Sequence, residues 1–512
     1  EAPKFFHQVT KVHTNGVAST VDLTTLGTAG MVVVKSTVGT SNWFTWHRSL
    51  TAGNNLKLNL TDAESATNAY LSVSGTTLTI ASTAPSDTYI VYAWAHDTGT
   101  DGIIQCGSFT TTVAGDYEIT LGWEPQFNIT KRSIGGVSSW WMLDSMRGMP
   151  VGGNDAYLEV NTASSELNSF NQIEPTATGF KLLGLSASST YIYMAIRRPN
   201  KVLTSGTEVY NAIARTGTGA VATVSGVGFA PDLTIIRAKD TAGTQSVWYD
   251  RLRGKDMYLV SSSTSIEQTA TNSVTEFQNN GVLLGSDSAV GQVNTSGLVY
   301  INHFFKRAKE FFDVVCYTGT GTTPITINHS LGVVPDFIIT KCRSLTGTWW
   351  MVYHASLGAN KYLALQSTAA VGSASVYPSA PTITNFYVDG SFNDVGAASA
   401  TYVSYLFATL AGVSKVGSYT GNGTSQTINC GFSTGARFIL SKAVSTTGNW
   451  NIGDSTRGIV AGTDPLLCLN TTAAEVTTDD WLDPENTGFI VNETASAHAN
   501  TNGVQYVFLA IA

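Results

Sequence analysis

The sequence predicts an all-β protein: five tandem antiparallel β-sandwich domains, jelly-roll-like, forming an elongated rod or arc. Three observations carry this. Charged residues make up 12% of the 512, against about 25% in an ordinary soluble protein. Thr, Ser, Ala and Val dominate, with 49 glycines and 13 prolines, a composition of β-branched strands and glycine-marked turns. Finally, one stretch occurs five times, and stretches of strand character recur at the roughly 8–12-residue spacing of a sandwich.

The repeated stretch is clearest from Pro335 to Ala370: an apolar strand, a Gly/Thr loop, a Trp-rich strand, a turn, and a strand ending in Ser-Thr. Other copies begin at Pro125, Pro231 and Ala436, and the most divergent at Ala29. The basic residue closing the first strand falls at Lys35, Lys131, Arg237, Lys341 and Lys442, in steps of 96, 106, 104 and 101. An independent marker, Tyr89, Tyr191, Tyr300, Tyr402 and Tyr506, steps by 102, 109, 102 and 104. A period near 100 residues is that of a small domain, not of a solenoid turn.

The predicted repeats are residues 1–97 (divergent, an adaptor or cap), 98–206, 207–308, 309–411 and 412–512. In repeat 1, Asn15-Gly16 signals a hairpin. Repeats 3 and 4 carry Gly-Thr-Gly at Gly217–Gly219 and Gly319–Gly321. No helix follows either, so these read as hairpin turns and not as phosphate loops. Each repeat closes on an aromatic strand, such as Tyr89–Trp94 or Tyr300–Phe305, whose apolar residues on both parities predict a buried central strand. Only Thr264–Phe277 leaves room for a turn of helix. The joints Arg197–Lys201, Lys306–Glu310 and Thr409–Lys415 are short, so neighbouring repeats are expected to touch.

Net charge is −8 and no basic cluster stands out, which argues against nucleic acid. No apolar run is long enough to span a bilayer, so no membrane insertion is expected. Five cysteines, an odd number at non-equivalent repeat positions, predict free thiols and assembly in a reducing cytoplasm. The start at Glu1 reads as a processing product or the beginning of a portion.

An acid or imidazole follows a Trp by four residues in four repeats: Trp43/His47, Trp140/Asp144, Trp350/His354 and Trp450/Asp454. Repeat 3 has Asp250, with Ser246 in the Trp place and Trp248 between them. Three copies continue as Asp-x-x-Arg-Gly, adding Arg147, Arg253 and Arg457; the other two read His-x-Ser-Leu. One reading is a carbohydrate site, the rings stacking on a sugar and Asp with Arg bonding its hydroxyls. The other is structural: Asp caps a turn, Arg pairs with it, Trp fills an interior. Recurrence in every repeat favours the second. Glu64, Glu166, Glu267 and Glu475 are roughly equivalent, but no second carboxylate keeps a fixed relation to them, as sugar hydrolysis would need. No zinc spacing or calcium loop is present, so neither catalytic residues, metal nor cofactor are expected.

The unit as a whole is a Tyr-Thr-Gly-x-Gly opening, a Pro-Asp-Phe-Ile-Ile-x-Lys strand, a Trp-x-x-x-Asp-Ser-x-Arg-Gly turn, a Tyr-Leu-x-Leu-Asn-x-Thr-Ala-Ala-Glu strand, Gly-Phe, and a closing Thr-Tyr-Val strand. It resembles a repeat of tailed-bacteriophage virion proteins, marine phages among them, found in tail-fibre-like and other appendage proteins. The match is strong for repeats 3 to 5, fair for repeat 2 and poor for repeat 1, which lacks the Pro, the Asp-x-x-Arg-Gly turn and the Gly-Phe. The resemblance implies a non-enzymatic virion structural protein, assembled in the host cytoplasm and displayed on the extracellular particle, most simply a tail fibre attaching to the host surface. Implied partners are other virion proteins, further copies of the chain (a trimer among the options) and host-surface glycans. Competing readings are a head decoration or head-fibre protein, a polysaccharide-binding or -degrading tailspike, and a bacterial surface adhesin or filament subunit.

Overall fold

The computed structural model describes residues 2–99, 101–198, 201–286, 293–492 and 498–512. Glu1, and Pro199 and Asn200 of the first joint, lie outside the described residues. The described residues form antiparallel strands and two short 3₁₀ turns, Thr24–Leu26 and Gly206–Glu208, with no α-helix. They divide into two compact units, Glu1–Pro199 with repeats 1 and 2, and Asn200–Ala512 with repeats 3 to 5.

Every repeat has the same framework, a sheet of five or six strands and a smaller one of two or three. In repeat 4 the larger sheet runs Phe312–Thr318, Thr401–Phe407, Phe337–Cys342, Trp350–His354, Lys361–Ala364, Gly372–Ser373. The closing strand thus lies between the opening strand and the first strand of the motif. The smaller sheet pairs Ile325–Asn328 with Asn385–Val388. One face of the large sheet (Ile338, Met351, Tyr353, Leu406) shares a buried cluster with Ile325, Ile327, Phe386 and Val388 of the small one. Repeats 2, 3 and 5 have clusters of the same make-up. In repeat 1 the cluster runs on into Ile129, Trp140, Ile192 and Met194 of repeat 2.

The closing tyrosine keeps its period because of its hydroxyl. Tyr191, Tyr300, Tyr402 and Tyr506 each accept the N–H of the residue five places upstream: Ser186, Thr295, Ala397 and Thr501. Tyr89 instead donates to the Pro85 carbonyl. The bond pins the loop that enters the closing strand, as in the tyrosine corner of other sandwiches. The Gly of Gly-Phe marks a close approach: a Cβ on Gly488 would stand 2.1 Å from the Ile428 carbonyl oxygen.

Several sequence expectations need correction. Asn15-Gly16 is a turn, but Phe6–His13 and Ser19–Asp22 on either side belong to different sheets, so it is a corner and not a hairpin. The same holds for Gly217–Gly219 and Gly319–Gly321, whose flanking strands also part to different sheets. These residues carry the chain from the large sheet to the small one. Thr264–Phe277 holds no helix; strands Gln268–Thr269 and Val274–Gln278 cross it. Val299–Phe305 is a buried central strand, but Asp87–Ala95 buries only alternate residues, leaving Tyr92 and Trp94 half-buried. The sequence led to an end-to-end array. Within the second unit, however, repeat 3 bonds to repeat 5 as well as to repeat 4, through contacts described below. All five cysteines are free, three buried and two half-buried.

Candidate functional site

Trp350 opens a strand opposite Lys341, and His354 closes it opposite Phe337. Trp450 and Asp454 stand likewise opposite Lys442 and Phe438. Side chains alternate along a strand, so Trp, the residue two on, and the Asp or His four on share one face with the basic residue. That face is turned away from the repeat's own cluster. It is covered instead by a neighbouring repeat, and the motif residues make up the joint.

Four joints are built alike. Indole N–H groups donate to the carbonyl ending the third strand of the preceding repeat's motif: Trp140 to Lys57 (3.1 Å), Trp350 to Val260 (3.0 Å) and Trp450 to Ala364 (2.9 Å). The ammonium groups of Lys131, Lys341 and Lys442 reach the carbonyls of Thr61, Thr264 and Thr368 at 2.9, 3.5 and 3.0 Å. Burial pushes these lysines down to about 8. Main chain meets main chain beside them. Ser138, Gly347, Gly448 and Gly243 donate to Thr61, Thr264, Thr368 and Thr472, while Glu64, Glu267, Val371 and Glu475 donate back to Ser133, Arg343, Val444 and Lys239.

The last member of each series joins repeat 3 to repeat 5, so repeats 3, 4 and 5 contact one another in a closed circuit. Here Ser246 stands where the other joints have Trp. Arg237, longer than Lys, compensates by reaching two carbonyls, Thr471 (2.6 Å) and Ala473, and Ser261 Oγ donates to Leu469 at 2.6 Å.

At the strand's other end the acid or imidazole faces the closing strand of the next repeat. Asp250 accepts from Tyr405 at 2.8 Å, and Asp454 lies 3.9 Å from His303. His47 bonds the Tyr193 carbonyl at 3.1 Å, next to Met194. His354 sits by the backbone of Phe508 and Gly417. Burial lowers His47, His303 and His354 to about 4, so all three are neutral at pH 7. Burial opposes the charge on Asp454, yet Arg457 and His303 hold its carboxyl below the usual range.

The Asp-x-x-Arg-Gly turn is a local clamp. Asp454 Oδ1 accepts the N–H groups of Thr456 and Arg457, and its Oδ2 takes Arg457 Nε at 2.5 Å. Asp250 and Arg253 repeat this, and so do Asp144 and Arg147 (2.6 Å). Beyond the clamp, Arg253 reaches Glu267, which also binds Arg343 of repeat 4 (2.8 Å). Arg457 reaches Glu475, which also binds Lys239 of repeat 3 (2.9 Å). Two of the equivalent glutamates are thus counter-ions held across joints.

The structure therefore brings Trp140, Asp250, Arg253, Trp350, His354, Trp450, Asp454 and Arg457 to joints, leaves Asp144 and Arg147 part-exposed on repeat 2, and gathers none in a shared cleft. Trp140, Trp350 and Trp450 are buried and offer no face to a sugar. Among the described residues no three His, Cys, Asp or Glu side chains gather as metal ligands. A recess of about 200 Å³ in repeat 1, lined by Phe44, Lys57 and Asp62 among others, is smaller than the roughly 300 Å³ at which small-molecule sites begin. The sequence reading missed Tyr405 and His303, which the acids face, and Met194 and Leu509, which hold the same register on the closing strands that the imidazoles meet. Their signal is a correlation: across a joint, Asp goes with Tyr or His at that register, and His goes with Met or Leu.

The family model described as Domain of unknown function (DUF7483) matches residues 5–198 and 205–512. The chain belongs to this family. The two matched stretches coincide with the two compact units to within a few residues, so the family's sequence signal and the structural division agree. No curated protein matches the chain.

Proposed function

We propose that the protein is a non-enzymatic structural protein of a bacteriophage particle, a tail fibre or comparable appendage component that attaches to the host surface, built from five tandem β-sandwich repeats. One observation supports this most: where two repeats meet, the recurring residues are the ones that fix them to one another. At the joints the Trp, the basic residue and the Asp/His position make bonds that end on main-chain carbonyls or on buried partners. Such an arrangement serves rigidity and leaves the connecting loops to make outside contacts.

Antibody raised against the chain, applied to purified particles and viewed by electron microscopy, tests the reading. Label on a tail appendage is the expected outcome. Label on the head, or none on intact particles, overturns it. Release of reducing ends from host polysaccharide by the purified chain would replace it with a depolymerase.

A further inference from the structure

Repeats 3, 4 and 5 form a closed circuit in which every repeat gives one half of a joint and receives the other. The first unit has the same joint between repeats 1 and 2, down to the indole and lysine bonds. It also displays both complementary halves uncovered. On repeat 1 the giving half is open: Trp43 is 37% exposed, against 0–1% for Trp140, Trp350 and Trp450. Lys35 there turns back onto its own loop at Gly39 and Ser41. On repeat 2 the receiving half is open. Asp144 and Arg147 are 25% and 20% exposed, while Asp250 and Arg253 are at 0%. Met146 is exposed in the same turn, and Glu166, the counterpart of Glu267 and Glu475, stands in solvent, while the buried Arg147 Nη1 has no hydrogen-bond partner.

The order of acids and imidazoles says which repeat is missing. In the closed circuit repeats 3, 4 and 5 carry Asp250, His354 and Asp454 on the receiving half, and His303, Tyr405 and Leu509 on the giving half. Repeats 1 and 2 carry His47 and Asp144 on the receiving half, and Tyr92 and Met194 on the giving half. Register places Tyr92 where Tyr405 stands: Val33 pairs with Tyr92 as Ile339 pairs with Tyr405. Repeats 1 and 2 thus match repeats 4 and 5. Tyr92 awaits an acid such as Asp250, and Asp144 awaits a polar group such as His303.

We infer that repeats 1 and 2 are two members of a three-repeat circuit whose third place is filled by a single further domain of the repeat 3 type, distinct from the five repeats of residues 1–512. Repeats 3, 4 and 5 have both halves of their joints occupied. A second copy's repeat 1 could enter the gap only by giving up its own repeat 2, since a circuit that closes at three leaves room for one repeat.

The test uses the full chain with a second copy of residues 205–308 joined ahead of Ala2 by a flexible linker, footprinted with hydroxyl radicals beside the unextended chain. Oxidation of Trp43 is expected to fall to the level of Trp140, Trp350 and Trp450, with parallel loss at Met146. Asp250→Ala in the added copy alone should restore part of the Trp43 signal. A parallel extension with residues 309–411 guards against misfolding of the first. Unchanged oxidation of Trp43 and Met146 in both extended chains overturns the inference. So does protection in the unextended chain that appears with self-association in sedimentation, which would make the occupant a second copy.

Discussion

Trp450 is buried in its joint, and its one polar atom meets the Ala364 carbonyl at 2.9 Å. Trp450→Phe keeps most of the ring and removes that bond, leaving the carbonyl with the Ser367 N–H (3.2 Å), at a cost of about 1 kcal/mol. Trp450→Ala also opens a cavity and should cost about 3–5 kcal/mol. Urea denaturation of the two variants separates the bond from the packing. His354 gives a prediction about pH. Its folded value of about 4 lies below the usual 6.5, so between these pH values the unfolded chain binds a proton that the native chain refuses. Stability from this group is complete above pH 6.5 and is lost as pH falls toward 4, by up to about 3 kcal/mol. Asp155 and Asp464, pushed up by burial to about 7 and 6, act in the opposite sense, because the native chain takes up their protons first. The clean observable is a difference. His354→Asn keeps an acceptor for the Ser356 N–H, which His354 Nδ1 takes at 3.2 Å, and should show a shallower loss of stability from pH 6.5 to 4 than the parent chain.

The element that organises the protein is the pair of adjacent strands bearing Lys and Trp, and what it does depends on what covers it. The same Asp-x-x-Arg-Gly clamp occurs at Asp144, fringed by solvent, and at Asp250, fully enclosed. Removing one partner of an enclosed ion pair strands the other charge, which costs about 3–5 kcal/mol; an exposed pair is worth about 0–1 kcal/mol. Asp250→Ala should therefore destabilise strongly and Asp144→Ala weakly, as read from the denaturant midpoints of the two variants. Equal effects would mean that the clamp acts within its own turn and that its cover is irrelevant. The small sheet makes a similar point through Gly488. Ala there meets the Ile428 carbonyl, and forcing the strands apart should cost about 1–3 kcal/mol.

At the scale of the molecule, the closed circuit predicts cooperation. Because each of repeats 3, 4 and 5 holds both others, Trp350→Ala and Trp450→Ala should lower the same thermal transition, seen by calorimetry, although they lie in different joints. Two separate shifts would show that the joints are weak. Much of this architecture was legible in the chain. The beat of Lys and Tyr gave the repeats, and the tyrosine corner explains why that marker could not wander. The identity of the joint residues was legible too, since Trp, Asp, Arg and His stood out at fixed spacing. Their direction was not. Burial of Trp350 against Val260 and of Trp350 in its own core look the same in one sequence, because both ask only for an apolar ring at a strand start. The corners at Asn15-Gly16 and Gly217–Gly219 were misread for a related reason: a tight turn specifies its own backbone, while the sheet each flanking strand joins is decided by partners far along the chain.

The joints end chiefly on main-chain carbonyls, those of Lys57, Val260, Ala364 and Leu469, beneath four different side chains. A receiving strand can thus change its residue types without forfeiting its neighbour. Whole repeats of matching Asp or His type become interchangeable parts, free to be shuffled, duplicated or restyled at their outer loops, while most of the grammar of assembly stays written in the peptide backbone.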